Sequence, residues 1–191
     1  MEKTICFTGK RPRDLYGYDF NDSYMKLIQK LYSWMMDVCT KENVQTSITG
    51  GAQGFDQIAF WACTAANIGV ILKRRKIYVP FKGQEKGWAK TGLFGQGDYE
   101  SILRLADEII LCSDIDPSTA SKKEIAAAYL KRNRDMVDAS DICFGLFDTN
   151  IDFHTDRSGT AATLRYAESK NKEIWIMDLN TLEIKKVQCK S

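Results

Sequence analysis

The chain has 191 residues, 27 basic and 25 acidic side chains, and a formal charge of +2. That length fits one domain able to bury roughly 70% of its unfolded surface, and the even charge balance excludes the diffuse polycation of non-specific nucleic-acid binders. With 44% hydrophobic and 27% charged residues, the composition excludes disordered and fibrous classes.

Six cysteines, Cys6, Cys39, Cys63, Cys112, Cys143 and Cys189, are scattered. None shows the two-residue spacing of zinc or redox motifs, so no metal and no resident cofactor are expected. Most sit in apolar runs such as 4–7 and 141–144, where a free thiol acts as a small hydrophobe, which leads us to expect a reducing, cytoplasmic setting. The opening Met-Glu-Lys-Thr carries no apolar signal core, and no stretch reaches the roughly 20 apolar residues of a membrane span. Neither secretion nor insertion is expected.

Short apolar runs alternate with longer segments of helical period, the pattern of a parallel sheet with helices on both faces. We expect an α/β, Rossmann-like three-layer domain with a mostly parallel central sheet of about six strands, spanning residues 1–191 as a single unit. Thr4 to Thr8 is the first strand. A helix follows from Asp22 to about Thr40, its apolar stripe formed by Leu27, Ile28, Leu31, Trp34, Met35 and Val38 at three- and four-residue spacing. Val44 to Thr49 is the second strand, breaking at Gly50-Gly51, and Phe55 to Asn67 is the helix after it. A third strand falls within Ile71 to Val79 and stops at Pro80. From there to Gly97, five glycines and little periodicity mark a long connection of the kind that forms lids or binding loops. Tyr99 to Ala106 reads as a short helix, Glu108 to Cys112 as a strand, and Ser121 to Ala139 as a helix opened by a Ser121–Glu124 capping box. Ile142 to Phe147, Thr160 to Ser169 and Glu173 to Met177 complete the series as strand, helix and strand.

Ligands of open parallel sheets lie beyond the carboxyl ends of the strands, and three features fall there. The first is the segment 7–12, where Thr8 and Gly9 permit close backbone approach and Lys10 and Arg11 can neutralise phosphate; a plain structural turn is the other reading. The second is 49–56, where Gly50, Gly51 and Gly54 leave backbone amides open at a helix start, an anion site favoured by the helix dipole. Asp56 there either accepts from a ribose hydroxyl or caps its helix. The dinucleotide fingerprint itself is absent. The third is Arg157-Ser158-Gly159-Thr160, after the strand that ends at Phe147 and Asp148. Just upstream of that strand, Arg132, Asn133 and Arg134 either reach phosphate or face solvent.

Phe81 and Trp88 in the long connection either stack on a base or are buried. The second basic cluster, 73–76, reads as a solvated strand end or a nucleic-acid contact. His154, the single histidine, lies in the loop 150–157 without a cysteine or serine partner and reads as a surface residue.

Together these residues resemble the SLOG superfamily, which joins Smf/DprA-type DNA-processing proteins and LOG-type phosphoribohydrolases, and within it the YpsA-like branch. Segment 7–12 looks like that branch's opening motif and 49–56 like its glycine-rich loop. Phe81, Gln84, Glu85 and Trp88 resemble its middle loop, and 132–141 with 158–160 resemble its C-terminal signature. The resemblance implies a Rossmann-like fold, a homodimer, and a nucleotide-derived ligand over the glycine-rich loops. In LOG-type enzymes a glutamate three residues after the Gly-Thr pair assists cleavage of an N-glycosidic bond, together with an arginine in the preceding helix. Arg132 matches that arginine by its spacing to Met136, but the glutamate's position holds Thr163, which cannot act as a carboxylate acid or base. Asp56 or Glu85 would have to supply the missing carboxylate. The leading expectation is a nucleotide-binding sensor or sequestering protein. A nucleoside monophosphate phosphoribohydrolase and a single-stranded DNA-binding protein are the alternatives.

Overall fold

The computed structural model describes residues 1–68 and 72–187; Ile71, where the third strand was expected to begin at the earliest, and Cys189 lie outside the described residues. In chain order the elements are β1 Lys3–Thr8, α1 Asp22–Lys41, β2 Val44–Thr49, α2 Phe55–Ile68, β3 Arg74–Val79, α3 Gln96–Leu105, β4 Glu108–Leu111, α4 Lys122–Asp138, β5 Ile142–Phe147, α5 Gly159–Ser169, β6 Glu173–Asp178 and β7 Ile184–Lys186. A 3₁₀ turn at Pro12–Asp14 follows β1.

The strands form one sheet in the order β4-β3-β2-β1-β5-β6-β7. All neighbouring pairs are parallel except β6–β7. The six expected strands form, and β7 adds a seventh. Its sequence, Ile-Lys-Lys, is too short and polar to show strand alternation, and it is placed by the turn before it. There Asp178 accepts from the amides of Asn180 at 2.9 Å and Thr181 at 2.7 Å, folding the chain back on β6.

Helix boundaries follow local chemistry. Asn21 caps α1 by accepting from the amides of Ser23 and Tyr24, and Ser121 and Glu124 form the expected capping box on α4. The third helix starts at Gln96, a turn earlier than its apolar period indicates, because the Asp98 carboxylate accepts from the Phe94 amide at 2.8 Å and organises the entry.

Odd and even strand positions build two cores. Ile5, Phe7 and Phe144 pack with α1 and α2 residues such as Leu27, Leu31, Phe55 and Ala59 on one face. On the other, Cys6, Ile48, Cys143 and Phe147 pack with Met136 and Val137 of α4 and Ala161 and Leu164 of α5. Each buried large side chain contributes about 2 kcal/mol of transfer free energy. The result is a sheet covered on both faces, with β1 at the point where the strand order reverses: β2, β3 and β4 lie to one side, and β5, β6 and β7 to the other. The crevice between the carboxyl ends of β1 and β5 is where such sheets hold ligands.

Candidate functional site at the carboxyl edge of the sheet

The loops after β1 and β2 form one unit. Gly54 has φ +90°, and a Cβ there would come within 2.5 Å of the Lys10 carbonyl oxygen. That same oxygen accepts from the Phe55 amide at 3.2 Å. Only glycine takes this backbone without strain while letting the two loops meet. Gly9 likewise packs on the Phe55 ring.

At the neighbouring corner, the Arg132 guanidinium of α4 lies directly on Gly50. An added Cβ on Gly50 would fall 0.9 Å from Nη1. Nη1 donates to Asp56 Oδ2 at 3.0 Å, and the two residues are only 4% and 7% exposed. Asp56 therefore pairs with Arg132 rather than capping α2, and the space above Gly50 is held by a side chain of the protein. Gln84 closes the corner from the long connection, with Nε2 donating to the Tyr99 hydroxyl at 2.7 Å and to the Gly50 carbonyl at 3.4 Å. Burial pushes the Tyr99 phenol up to about 12, with the Gln84 bond opposing it. Gly51, with φ +63°, gives its carbonyl to Gln57 Nε2.

Four buried side-chain atoms have no hydrogen-bond partner among the described residues: Thr49 Oγ1, Gln57 Oε1, Gln84 Oε1 and Arg132 Nε. All four belong to residues that border the Gly50-Gly51 corner. Folded proteins leave few such atoms, because each carries a desolvation cost.

The cations lie on the switch-point side. Lys10 Nζ stands 5.0 Å from the centroid of the Phe147 ring at the end of β5. The Arg11 and Arg132 guanidinium carbons stand 5.7 and 5.9 Å from the centroid of the Tyr129 ring. Across the crevice, Ser158 caps α5 by accepting from the Ala161 amide at 3.2 Å. This leaves the Gly159 and Thr160 amides outside the helix ladder. Gly159 is exposed, and nothing lies within 4 Å of where its Cβ would be. The Ser158 hydroxyl donates to Asp156, which together with the charge of Lys10 holds that carboxyl below its ordinary range. β1 and β5 are parallel neighbours and Lys10 lies over Phe147 at the end of β5, so the loops that follow these two strands leave the same edge of the sheet.

The other expected site residues are placed as follows. Thr8 is buried at the end of β1. Phe81 is buried, edge-on to Tyr129, and Trp88 is half-buried, edge-on to Tyr99. Glu85 is half-buried, and its carbonyl accepts from the Trp88 amide. Asp148 Oδ1 accepts from Asn150 and Asn180 and braces two loops. Asn133 donates to Thr163 Oγ1 at 2.9 Å, and Thr163 Oγ1 donates to the Gly159 carbonyl at 2.8 Å. Arg134 lies over the Tyr166 ring on the outer side of α4. The basic cluster 73–76 lies at the start of β3, on the opposite edge of the sheet. Three of its four cations are paired there: Arg75 with Asp107 at 3.0 Å, Lys76 with Glu108 at 2.6 Å, and Lys73 with Glu2 at 2.8 Å. Among the described residues no group of three or more His, Cys, Asp or Glu could hold a metal ion, and no helix is long and apolar enough to cross a membrane.

Sequence reasoning did not single out Tyr129, Tyr99 or Gln57. Tyr129 precedes Arg132 by three residues on a helix, a spacing that places both on one face and was available as a signal. No local pattern marks Tyr99 or Gln57.

The family model described as the YspA SLOG family (YpsA) matches residues 5–182. The chain belongs to this family. One relative is the uncharacterized SPbeta prophage-derived protein YoqJ of Bacillus subtilis (strain 168), 33% identical over 158 residues that cover 78% of this chain and 84% of the relative. Among solved structures, DNA processing protein A (DprA) from Streptococcus pneumoniae superposes with a TM-score of 0.56 at 12% identity, covering 92% of this chain. The chain spans half the length of that protein, and the likeness establishes a shared Rossmann-like fold. The YpsA match takes in all three glycine-containing corners, the Arg132–Asp56 pair and the middle loop.

Proposed function

We propose that this YpsA-family protein captures a nucleotide-derived ligand at the carboxyl edge of its sheet, as a sensor or sequestering protein. The phosphate sits against the Gly159 and Thr160 amides, with Lys10 and Arg11 neutralising its charge. The sugar and base side of the ligand extends toward the Gly50 corner. The observation that carries this reading is the group of orphaned polar atoms there. Gln84 Oε1 calls for a donor, Arg132 Nε for an acceptor, and Thr49 Oγ1 takes either. A ribose hydroxyl or a base edge offers both kinds of group.

Binding without cleavage is favoured by Thr163. Its hydroxyl is engaged by Gly159 and Asn133, and Asp56, the nearest carboxylate to the corner, is committed to Arg132. A small ligand is favoured over single-stranded DNA, because the 73–76 cluster is on the far edge and three of its four cations are already paired. A cytoplasmic homodimer completes the proposal, and light scattering at two concentrations tests the assembly. The function itself is tested by mass spectrometry of small molecules released when the purified protein is denatured, alongside a thermal-shift panel of nucleoside mono- and diphosphates, ADP-ribose and dinucleotides. Release of a nucleotide, or a saturable shift with one, supports the reading. Protein that releases none and responds to none overturns it.

A further inference from the structure

On the α1–α2 side of the sheet, away from the cations, a pocket of about 200 Å³ opens between the first turns of α1 and α2 and the end of the long connection. Its walls are largely aromatic: Phe20, Tyr24, Trp61 and Phe94. The Phe20 and Tyr24 rings are nearly parallel at 6.4 Å, and Phe94 meets Tyr24 edge-on at 5.5 Å. Phe20 is 56% exposed and Trp61 39% exposed.

Two polar groups break this apolar lining. One is Gln57, just 1% exposed. Its Nε2 donates to the Gly51 carbonyl at 3.4 Å, and its Oε1 has no partner among the described residues. The other is Asp98, one of whose oxygens holds the Phe94 amide at 2.8 Å. Phe94 itself has φ +62°, a left-handed backbone that a bulky side chain adopts only under constraint. The constraint is visible. Asp98 grips its amide, and Gln53 of the glycine-rich loop donates to its carbonyl at 2.9 Å. Strain at a pocket wall, held from two sides, is what ligand clamps show.

We propose that this pocket binds a small planar molecule of one ring or two fused rings carrying an N–H or O–H donor for Gln57 Oε1. The size sets the class. An apolar cavity of roughly 150 Å³ takes benzene, whereas pockets for drug-sized ligands start near 300 Å³, so a ring fits and a whole nucleotide does not. Aromatic walls favour a flat guest, and the unpartnered carbonyl oxygen favours one that donates. The site is linked to the glycine-rich loop through Gln57–Gly51 and Gln53–Phe94, so its occupancy is felt by the Gly51 backbone. It stands apart from the proposed nucleotide edge.

The experiment uses no nucleotide. ¹⁵N-labelled full-length protein is titrated with indole and phenol, and with indene and toluene as near-isosteric rings lacking the donor. Indole and phenol are expected to give saturable shifts at the Trp61 indole N–H and the Gly51 amide, with indene and toluene weaker by about tenfold because they leave Oε1 unpaired. Gln57→Leu removes the preference for donors. Leu93→Trp, at the rim of the pocket, fills it and abolishes binding while the amide spectrum keeps its dispersion. Absence of saturable shifts with all four rings, equal affinity with and without the donor, or binding unaffected by Leu93→Trp overturns the proposal.

Discussion

The Arg132 guanidinium occupies the place of the side chain that Gly50 lacks, with Nη1 0.9 Å from the position of an added Cβ and 3.0 Å from Asp56 Oδ2. Glycine at this corner makes room for a buried ion pair between α4 and the first turn of α2.

Gly50→Ala should therefore destabilise the protein through the pair. The arginine is long enough to swing away from the new methyl, but Asp56 is then left buried without its counter-ion. The expected cost is about 3 kcal/mol, the lower end for breaking a buried pair. Gly159→Ala, where nothing lies within 4 Å, should leave stability within about 0.5 kcal/mol. Urea unfolding of the two variants beside the parent checks both; equal stability of Gly50→Ala and the parent would remove the pair from the account.

The same pair predicts strong non-additivity. Asp56→Leu and Arg132→Met each strand one charge, at about 3–5 kcal/mol, while the double variant strands none and should recover a large part of the loss. Additive losses in a double-mutant cycle would show that the two groups do not interact.

His154 gives a pH dependence with a definite sign. Nδ1 lies 2.8 Å from Asp152 Oδ1 and Nε2 lies 2.9 Å from Glu168 Oε2. Only the doubly protonated ring donates to both, so these bonds raise its pKa above the ordinary histidine value. A folded-state pKa above the unfolded one contributes stability that is complete below the unfolded value near 6.5 and disappears as pH rises through the folded value. The loop 150–157 should thus be held to α5 more firmly at pH 5.5 than at pH 8.5. An NMR titration of this single histidine should give a midpoint above 6.5 that falls in Glu168→Gln, and the stability difference between the parent and His154→Gln should vanish at high pH. A midpoint at or below 6.5 would contradict the geometry.

Much of the fold was legible because it is written locally. Alternating apolar runs, the Ser121–Glu124 box and the Gly-Gly break after Thr49 placed six strands and five helices within a few residues. Missing from that reading was β7, whose three residues carry no pattern of their own and depend on the Asp178 turn. The candidate site was legible as a set of corners but not as a set of partners. Gly50 reads from sequence as room for a phosphate, yet its neighbour is a side chain 82 positions away. Asp56 reads as a ribose contact or a cap, and its partner is 76 positions away. Such pairings depend on how α4 lies over the sheet, which no local spacing encodes. The cluster 73–76 reads as basic until the β3–β4 register sets Lys76 beside Glu108.

Isothermal titration of the parent and a Lys10→Ala/Arg11→Ala variant with the nucleotide panel tests the central claim most directly. At least one nucleotide should bind the parent stoichiometrically and bind the variant more weakly by about a hundredfold, as expected for two lost charge-assisted contacts of about 1.5 kcal/mol each, with the urea midpoint unchanged. Undiminished binding by the variant, or no heat with any nucleotide in the parent, would mean that the crevice between β1 and β5 does not hold a phosphate.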